Sequence, residues 1–308
     1  LLGEVVMEPV KVVPYFGTVD KPECHLLYNV TTMCTTWHTV ATHDTRLLRK
    51  QLDSVNGLPK EYVFLNYLRC HDDIGWGLDY DTLRSWGMEE VPHKKYLNEF
   101  FQGRTAGSVS RGELYNDDPT TGDARFCGTT ASMCGLETAQ TPEAEDTAIR
   151  FDLCLHAMML FQSGIPMLYS GDEIGQLNDY SYKDDPAKAA DSRYVHRGRL
   201  PWDRAAQRTD SSTPAGRIFA GLHQLETIRR THPAFEASAA VTTLDTGSLA
   251  VLGIRRQAGG EDLVGLFNFG GEAHTVSLPE GAYADLLTGA VHTGSAALEP
   301  YGFLWLHA

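Results

Sequence analysis

A chain of 308 residues, 42% hydrophobic and 21% charged, has room for one large domain, or a large one and a small one, and has the composition of an ordinary globular protein. Its 26 Lys and Arg against 40 Asp and Glu leave a formal charge of −14, which argues against nucleic acid and anionic membrane as partners, because both select basic surface. No apolar run is long enough to span a bilayer, no signal peptide is visible, and the six cysteines form no C-x-x-C pair, so a zinc site is not expected and a reducing cytoplasm is the simplest setting.

Taken in order, Leu1 to Val6 reads as a short buried strand carrying one acid, Glu4. A buried Glu is costly unless paired or protonated. The plainer alternative is a frayed terminus with Glu4 in water. A second short strand is expected over His25–Asn29, then a helix from Thr31 to about Leu52, broken near His43-Asp44. After the turn Asn56-Gly57-Leu58-Pro59, the β-favouring run Tyr62–Leu68 leads into His71, Asp72 and Asp73. A strand that delivers a histidine and two carboxylates at its carboxyl end has the look of a barrel rim. A helix cap or a solvated turn would account for the same three residues more blandly.

Residues 74 to about 140 are irregular, with one helix near His93–Gln102; so long an excursion is either a functional lid or a decorative insertion. Thr141-Pro142-Glu143 is a strong helix start, and that helix is apolar almost all round up to Ser163. Gly164 ends it, Ile165–Ser170 reads as another short buried strand, and a second long loop runs to Ser212. Thr213-Pro214 opens the last helix, which Pro233 closes. Beyond Ala234 the texture becomes short apolar or alternating pieces at 249–255, 262–269, 274–278 and 302–306, the pattern of a small antiparallel β domain.

Alternation of strand and helix implies a parallel sheet, and polar strand ends with long loops favour a (β/α)₈ barrel over an open sheet. Only about four βα units are countable, and a barrel needs eight to close. The expectation is therefore α/β: the second half of a (β/α)₈ TIM barrel, strands five to eight, over residues 1–233, followed by a small antiparallel β-sandwich domain over 234–308. The abrupt start without Met suggests a fragment whose first half lies upstream.

Two carboxylates on different strands are the minimum for glycoside chemistry, one as acid/base and one as nucleophile in a retaining mechanism. An apolar strand end such as that around Glu4 suits a raised pKa, and Asp72 beside His71 suits gripping the vicinal hydroxyls of a sugar ring.

Gly3-Glu4, Tyr67-Leu68-Arg69-Cys70-His71-Asp72-Asp73-Ile74-Gly75-Trp76 and Gly164-Ile165-Pro166-Met167-Leu168-Tyr169-Ser170-Gly171-Asp172-Glu173, in that order and spacing, resemble three regions of the α-amylase superfamily, glycoside hydrolase family 13. Within it the resemblance is nearest to amylosucrase and the sucrose hydrolases, and it covers essentially the whole chain. The resemblance implies that Glu4 is the general acid/base, Asp72 the acid that steadies the transition state, and His71 a ligand of the glucosyl ring. It implies that Asp73 and Arg125 contact the fructosyl or acceptor side. It implies that Arg193 pairs with an upstream aspartate to close the glucosyl pocket. Read without it, each arginine is a surface ion pair of little energetic value. Asp172 and Glu173 read as structural.

The same resemblance puts the nucleophile, an aspartate after the fourth strand, upstream of Leu1, so residues 1–308 alone are expected to be inactive. No cofactor or metal is implied; sucrose and α-glucan are the implied substrates, and the missing half of the same protein the implied partner. A plain α-amylase or α-glucosidase is the competing enzyme reading. A non-catalytic carbohydrate-binding relative is the competing reading outside enzymes.

Overall fold

The computed structural model describes residues 1–7 and 9–308, with Pro9 and Val10 described by backbone alone. The strands are β1 (Leu2–Gly3), β2 (Leu26–Tyr28), β3 (Val63–Asn66), β4 (Ile74–Gly75), β5 (Glu113–Tyr115), β6 (Arg125–Cys127), β7 (Ile165–Pro166), β8 (Ala240–Leu244), β9 (Val251–Ala258), β10 (Glu261–Asn268), β11 (His274–Asp285), β12 (Val291–Leu298) and β13 (Phe303–His307). They belong to two compact units. One comprises Leu1–Tyr67, Cys154–Met167 and Leu222–Ala308; the other comprises Leu68–Leu153 and Leu168–Gly221.

The first unit holds a four-stranded sheet ordered β1-β2-β3-β7, parallel throughout, with Leu26 opposite Val63 and Leu65 opposite Ile165. The helices Val30–Thr42 and Arg46–Asn56 make the crossover from β2 to β3 that a parallel pair requires. The break between them falls where the sequence placed it, at His43, whose φ of 54° is left-handed. The first helix is rich in threonine yet buried, because Thr36, Thr39 and Thr42 donate to carbonyls one turn back, at Thr32, Thr35 and His38. Asn66, at the end of β3, accepts from Asn29 at 2.8 Å and donates to the Ser163 carbonyl at 2.7 Å, tying three crossings of the chain at one polar point.

The outer strands of this sheet differ from expectation. Among the described residues β1 and β7 each have a single neighbour, and their apolar side chains stand in the open: Leu2 and Ile165 are each 45% exposed. Glu4 is likewise exposed, so the desolvation expected of it is not there. An apolar run is buried only if something covers it, and an edge strand is covered on one side at most.

All six strands after residue 233 form one antiparallel sheet, ordered β12-β11-β13-β10-β9-β8. They are hydrogen-bonded as one sheet, where two facing sheets were expected. β11 carries a register shift between Ser277 and Ala282 and pairs with β13 only at Ala284 and Asp285. Val276 and Ala296 from β11 and β12 share one core with Val264, Leu266 and Leu306 from β10 and β13, so one face of the sheet carries a continuous apolar cluster. The helix Pro142–Phe161 ends against this region. Arg256 donates to the Phe161 carbonyl at 3.0 Å and Arg229 to the Leu160 carbonyl, two cations at the negative end of a helix.

The second unit contains the antiparallel sheet β4-β6-β5, with Gly75 opposite Arg125, and the helix Glu90–Phe101. Trp76 Nε1 donates to Asn98 at 2.8 Å, which seats the segment after His71-Asp72-Asp73 on that helix. Cys34, Cys70, Cys127, Cys134 and Cys154 are buried and Cys24 is partly exposed; all six are free thiols. Among the described residues no helix is long and apolar enough to cross a membrane.

Candidate functional site

β3 closes at Asn66, and His71, Asp72 and Asp73 follow in the loop, in the second unit. Arg69 fixes the root of that loop. It is 1% exposed and donates from Nε to Asp172 Oδ1 at 2.8 Å; Asp172 is 3% exposed. The Arg69 guanidinium lies over the Tyr169 ring, 4.8 Å from its centroid. The partner that Asp172 holds lies 103 residues away, and no sequence pattern announces it.

Asp72 is the centre of a charge cluster. Arg197 Nη2 donates to Asp72 Oδ1 at 3.0 Å, and Arg193 Nη1 stands 3.7 Å from the same oxygen. The other oxygen, Oδ2, is 3.4 Å from His71 Nε2. Asp73 faces Arg125, Oδ2 to Nε 3.7 Å. Burial pushes the Asp73 carboxyl up from the ordinary aspartate range; Arg125 and Arg193 oppose that and Asp72 adds to it. Gly75, opposite Arg125 across the strand pair, leaves room for that arginine: a Cβ there would lie 1.9 Å from Nη1.

The turn 191–197 carries the remaining charges. Asp191 accepts from the Arg193 backbone N–H and takes the Arg193 guanidinium bidentately, both contacts 2.8 Å. The Arg193 hydrogen bonds hold the Asp191 carboxyl below its usual range. Arg193 also lies over the Tyr115 ring at 4.7 Å. Asp191, two residues before Arg193, is thus the carboxylate that holds it within this chain. His196 is buried, with Nε2 3.4 Å from the His71 carbonyl; burial foremost, then the Arg69 charge, pushes its pKa down to about 3, so it stays neutral.

Of the residues singled out from sequence, the structure brings together His71, Asp72, Asp73, Arg125 and Arg193. Glu4 belongs to the other unit. Arg197, Asp191 and His196 were missed as site residues, although Asp191-Ser192-Arg193-Tyr194-Val195-His196-Arg197 is one motif; two arginines four apart, behind an aspartate, are the signal that was there to read. Among the described residues no group of His, Cys, Asp and Glu is arranged to hold a metal ion.

A parallel α/β sheet, a terminal antiparallel sheet and a histidine–carboxylate–arginine cluster after a strand are the features to set beside known proteins, and the comparisons agree on the fold. The chain superposes on AmyP in complex with maltose with a TM-score of 0.65, at 17% identity, over 99% of this chain and 54% of that one. On sucrose 6F-phosphate phosphorylase from Thermoanaerobacter thermosaccharolyticum the TM-score is 0.63, at 16% identity, over 87% of this chain and 47% of that one. In sequence it is 24% identical over 297 residues to glucosylglycerate phosphorylase of Escherichia coli, covering 96% of this chain and 50% of the relative. Residues 253–304 match the β-galactosidase C-terminal domain family. The chain spans about half the length of each of these three proteins.

Proposed function

We propose that this chain is the second half of a (β/α)₈ catalytic barrel of the α-amylase type, with a terminal β domain after residue 233, and that the whole protein cleaves an α-glucosidic bond with retention. The preferred substrate is sucrose, with glucose passed to an α-glucan or to water. Glu4 is the acid/base, Asp72 the acid that steadies the oxocarbenium-like transition state, and His71 a ligand of the glucosyl hydroxyls. Asp73 and Arg125 hold the fructosyl or acceptor side, and Arg193 closes the glucosyl pocket. The nucleophile comes from the upstream half, which is also the partner that covers the open edges of β1 and β7; residues 1–308 alone are then inactive. The setting is cytoplasmic.

The observation that carries the preference for sucrose is the Asp73–Arg125 pair beside Asp72. A carboxylate and a guanidinium side by side can grip a second polyhydroxylated ring in two places, which recognition of the fructosyl half of sucrose requires. A sucrose-phosphate phosphorylase among the proteins of like fold agrees with this reading. A second reading, hydrolysis of α-glucans, draws on the maltose complex of AmyP.

The test is incubation with sucrose of residues 1–308, and separately of the longer protein proposed to contain them, with glucose, fructose and glucan followed together and phosphate present or absent. Fructose in excess of glucose, with glucan appearing, supports transfer. Equal amounts mean hydrolysis, and a phosphate requirement means phosphorolysis. Turnover of starch with none of sucrose moves the assignment to the second reading. Turnover by 1–308 alone refutes the half-barrel assignment.

A further inference from the structure

Arg193 was the arginine that sequence reading placed at the glucosyl pocket. The geometry gives the tighter hold on Asp72 to Arg197, four residues on. Arg193 spends its bonds on Asp191 and stands at 3.7 Å from Asp72, beyond hydrogen-bond reach. Arg197 makes two bonds at the site: Nη2 donates to Asp72 Oδ1 at 3.0 Å and Nε donates to the backbone carbonyl of His71. Its third nitrogen, Nη1, lies 4.0 Å from Asp191 Oδ2.

We propose that Arg197 is the positioning residue of the His71–Asp72 pair, one guanidinium gripping the carbonyl of the first residue and the carboxylate of the second, with Asp191 as the anion that braces both arginines. The inference rests on the function proposed above. Its physics lies in the pair of atoms gripped. The His71 carbonyl and the Asp72 carboxylate lie on either side of one peptide bond, so holding both fixes that peptide plane and, with it, the directions in which both side chains leave the backbone. Neutral His196, at 3.4 Å from the same carbonyl, supports the grip from the buried side. Asp72 is held by Oδ1 alone, so Oδ2, beside His71 Nε2, remains for a sugar hydroxyl. A planar fork is needed, because the two acceptors must be met at a fixed separation by nitrogens of fixed geometry; a lysine supplies the charge as a single point.

The experiment uses the longer protein with its substrate and three variants, Arg197→Ala, Arg197→Lys and Asp191→Asn, reading kcat, KM and melting temperature. Misplacing a catalytic carboxylate by about an ångström costs on the order of 10²-fold, so Arg197→Ala should lose about that factor in kcat/KM, mostly in kcat, with guanidinium ion in the buffer restoring a part of it. Arg197→Lys should recover little, and Asp191→Asn should fall between. Activity of Arg197→Ala within about threefold of wild type, or full recovery by Arg197→Lys, overturns the proposal. If the wild type turns over no glucoside at all, the function falls and the positioning is judged by crystal structure. A displaced 71–72 peptide in Arg197→Ala upholds it, and an unmoved one overturns it.

Discussion

Arg69 and Asp172 form a buried ion pair whose energetics can be worked from the structure. The pair is 1% and 3% exposed, and it is joined by one hydrogen bond of 2.8 Å from Nε. The Arg69 terminal nitrogens, Nη1 and Nη2, are buried with no hydrogen-bond partner. Removing one member of such a pair costs about 3–5 kcal/mol, because the survivor keeps its charge in a dry place. The two removals should differ. Arg69→Met also abolishes two unsatisfied donor groups, each worth about 1–3 kcal/mol of penalty, partly offset by the lost stacking on Tyr169, so its net cost falls to the low end, about 3 kcal/mol. Asp172→Leu leaves the whole guanidinium without its carboxylate and should cost about 5 kcal/mol. The double variant Arg69→Met/Asp172→Leu should be as stable as wild type or about 1–4 kcal/mol more so, since a well-packed apolar pair needs no desolvation. Urea denaturation of the four proteins gives the cycle, and kcat/KM shows what the pair is kept for. A double variant no more stable than the worse single one would refute the reasoning, as would a cost below about 1 kcal/mol for Asp172→Leu.

Other expectations concern the neighbouring residues. Gly75→Ala should push the Arg125 guanidinium off Asp73, since the new Cβ would sit 1.9 Å from Nη1; the melting temperature should barely move, because a flexible side-chain end yields, while use of sucrose falls relative to an aryl glucoside, and adding Arg125→Ala should change nothing more. Asp73→Asn should raise the melting temperature at neutral pH while lowering sucrose use: burial raises the folded-state pKa, so the charged form is penalised above that pKa, and the gain should fade as pH falls through it. For His196 the folded value is depressed to about 3 from 6.5. Its contribution is therefore whole above pH 6.5 and is lost as pH falls from there towards 3, where the unfolded chain takes up a proton that the native site, faced by Arg69, Arg197 and Asp172, refuses. His196→Gln should flatten the stability–pH curve in that window by nearly one proton, and an unchanged slope would rule this out.

Local chemistry was legible in the sequence where one short stretch decides the outcome. The helix starts at Pro142 and Pro214 are capped by Thr141 and Thr213, whose hydroxyls accept from Ala144 and Gly216 as an N-cap should. The strand leading to His71 and the texture of β9, β10, β11 and β13 were visible for the same reason. What could not be read was what a segment meets. β5 and β6 are three residues each, too short for an alternating pattern, and β12 is mostly exposed, with only Ala296 and Leu298 in the core. β1 and β7 are apolar enough to read as buried, and their exposure is decided by neighbours that no local window contains. The grip of Arg197 on the His71–Asp72 peptide joins residues 125 apart or more, which is a property of the fold alone.

The distribution of thiols turns this chain into its own reporter. Burial pushes the Cys127 and Cys154 thiols far above the ordinary range, and three others are shut away with them. Cys24 alone is partly open, and its sulfur packs beside Gly3 at the β1 edge of the parallel sheet. A maleimide dye added to the native protein should therefore mark a single place, the β1 edge beside Gly3, without any engineered cysteine. The label would then register by fluorescence whatever comes to lie against that edge.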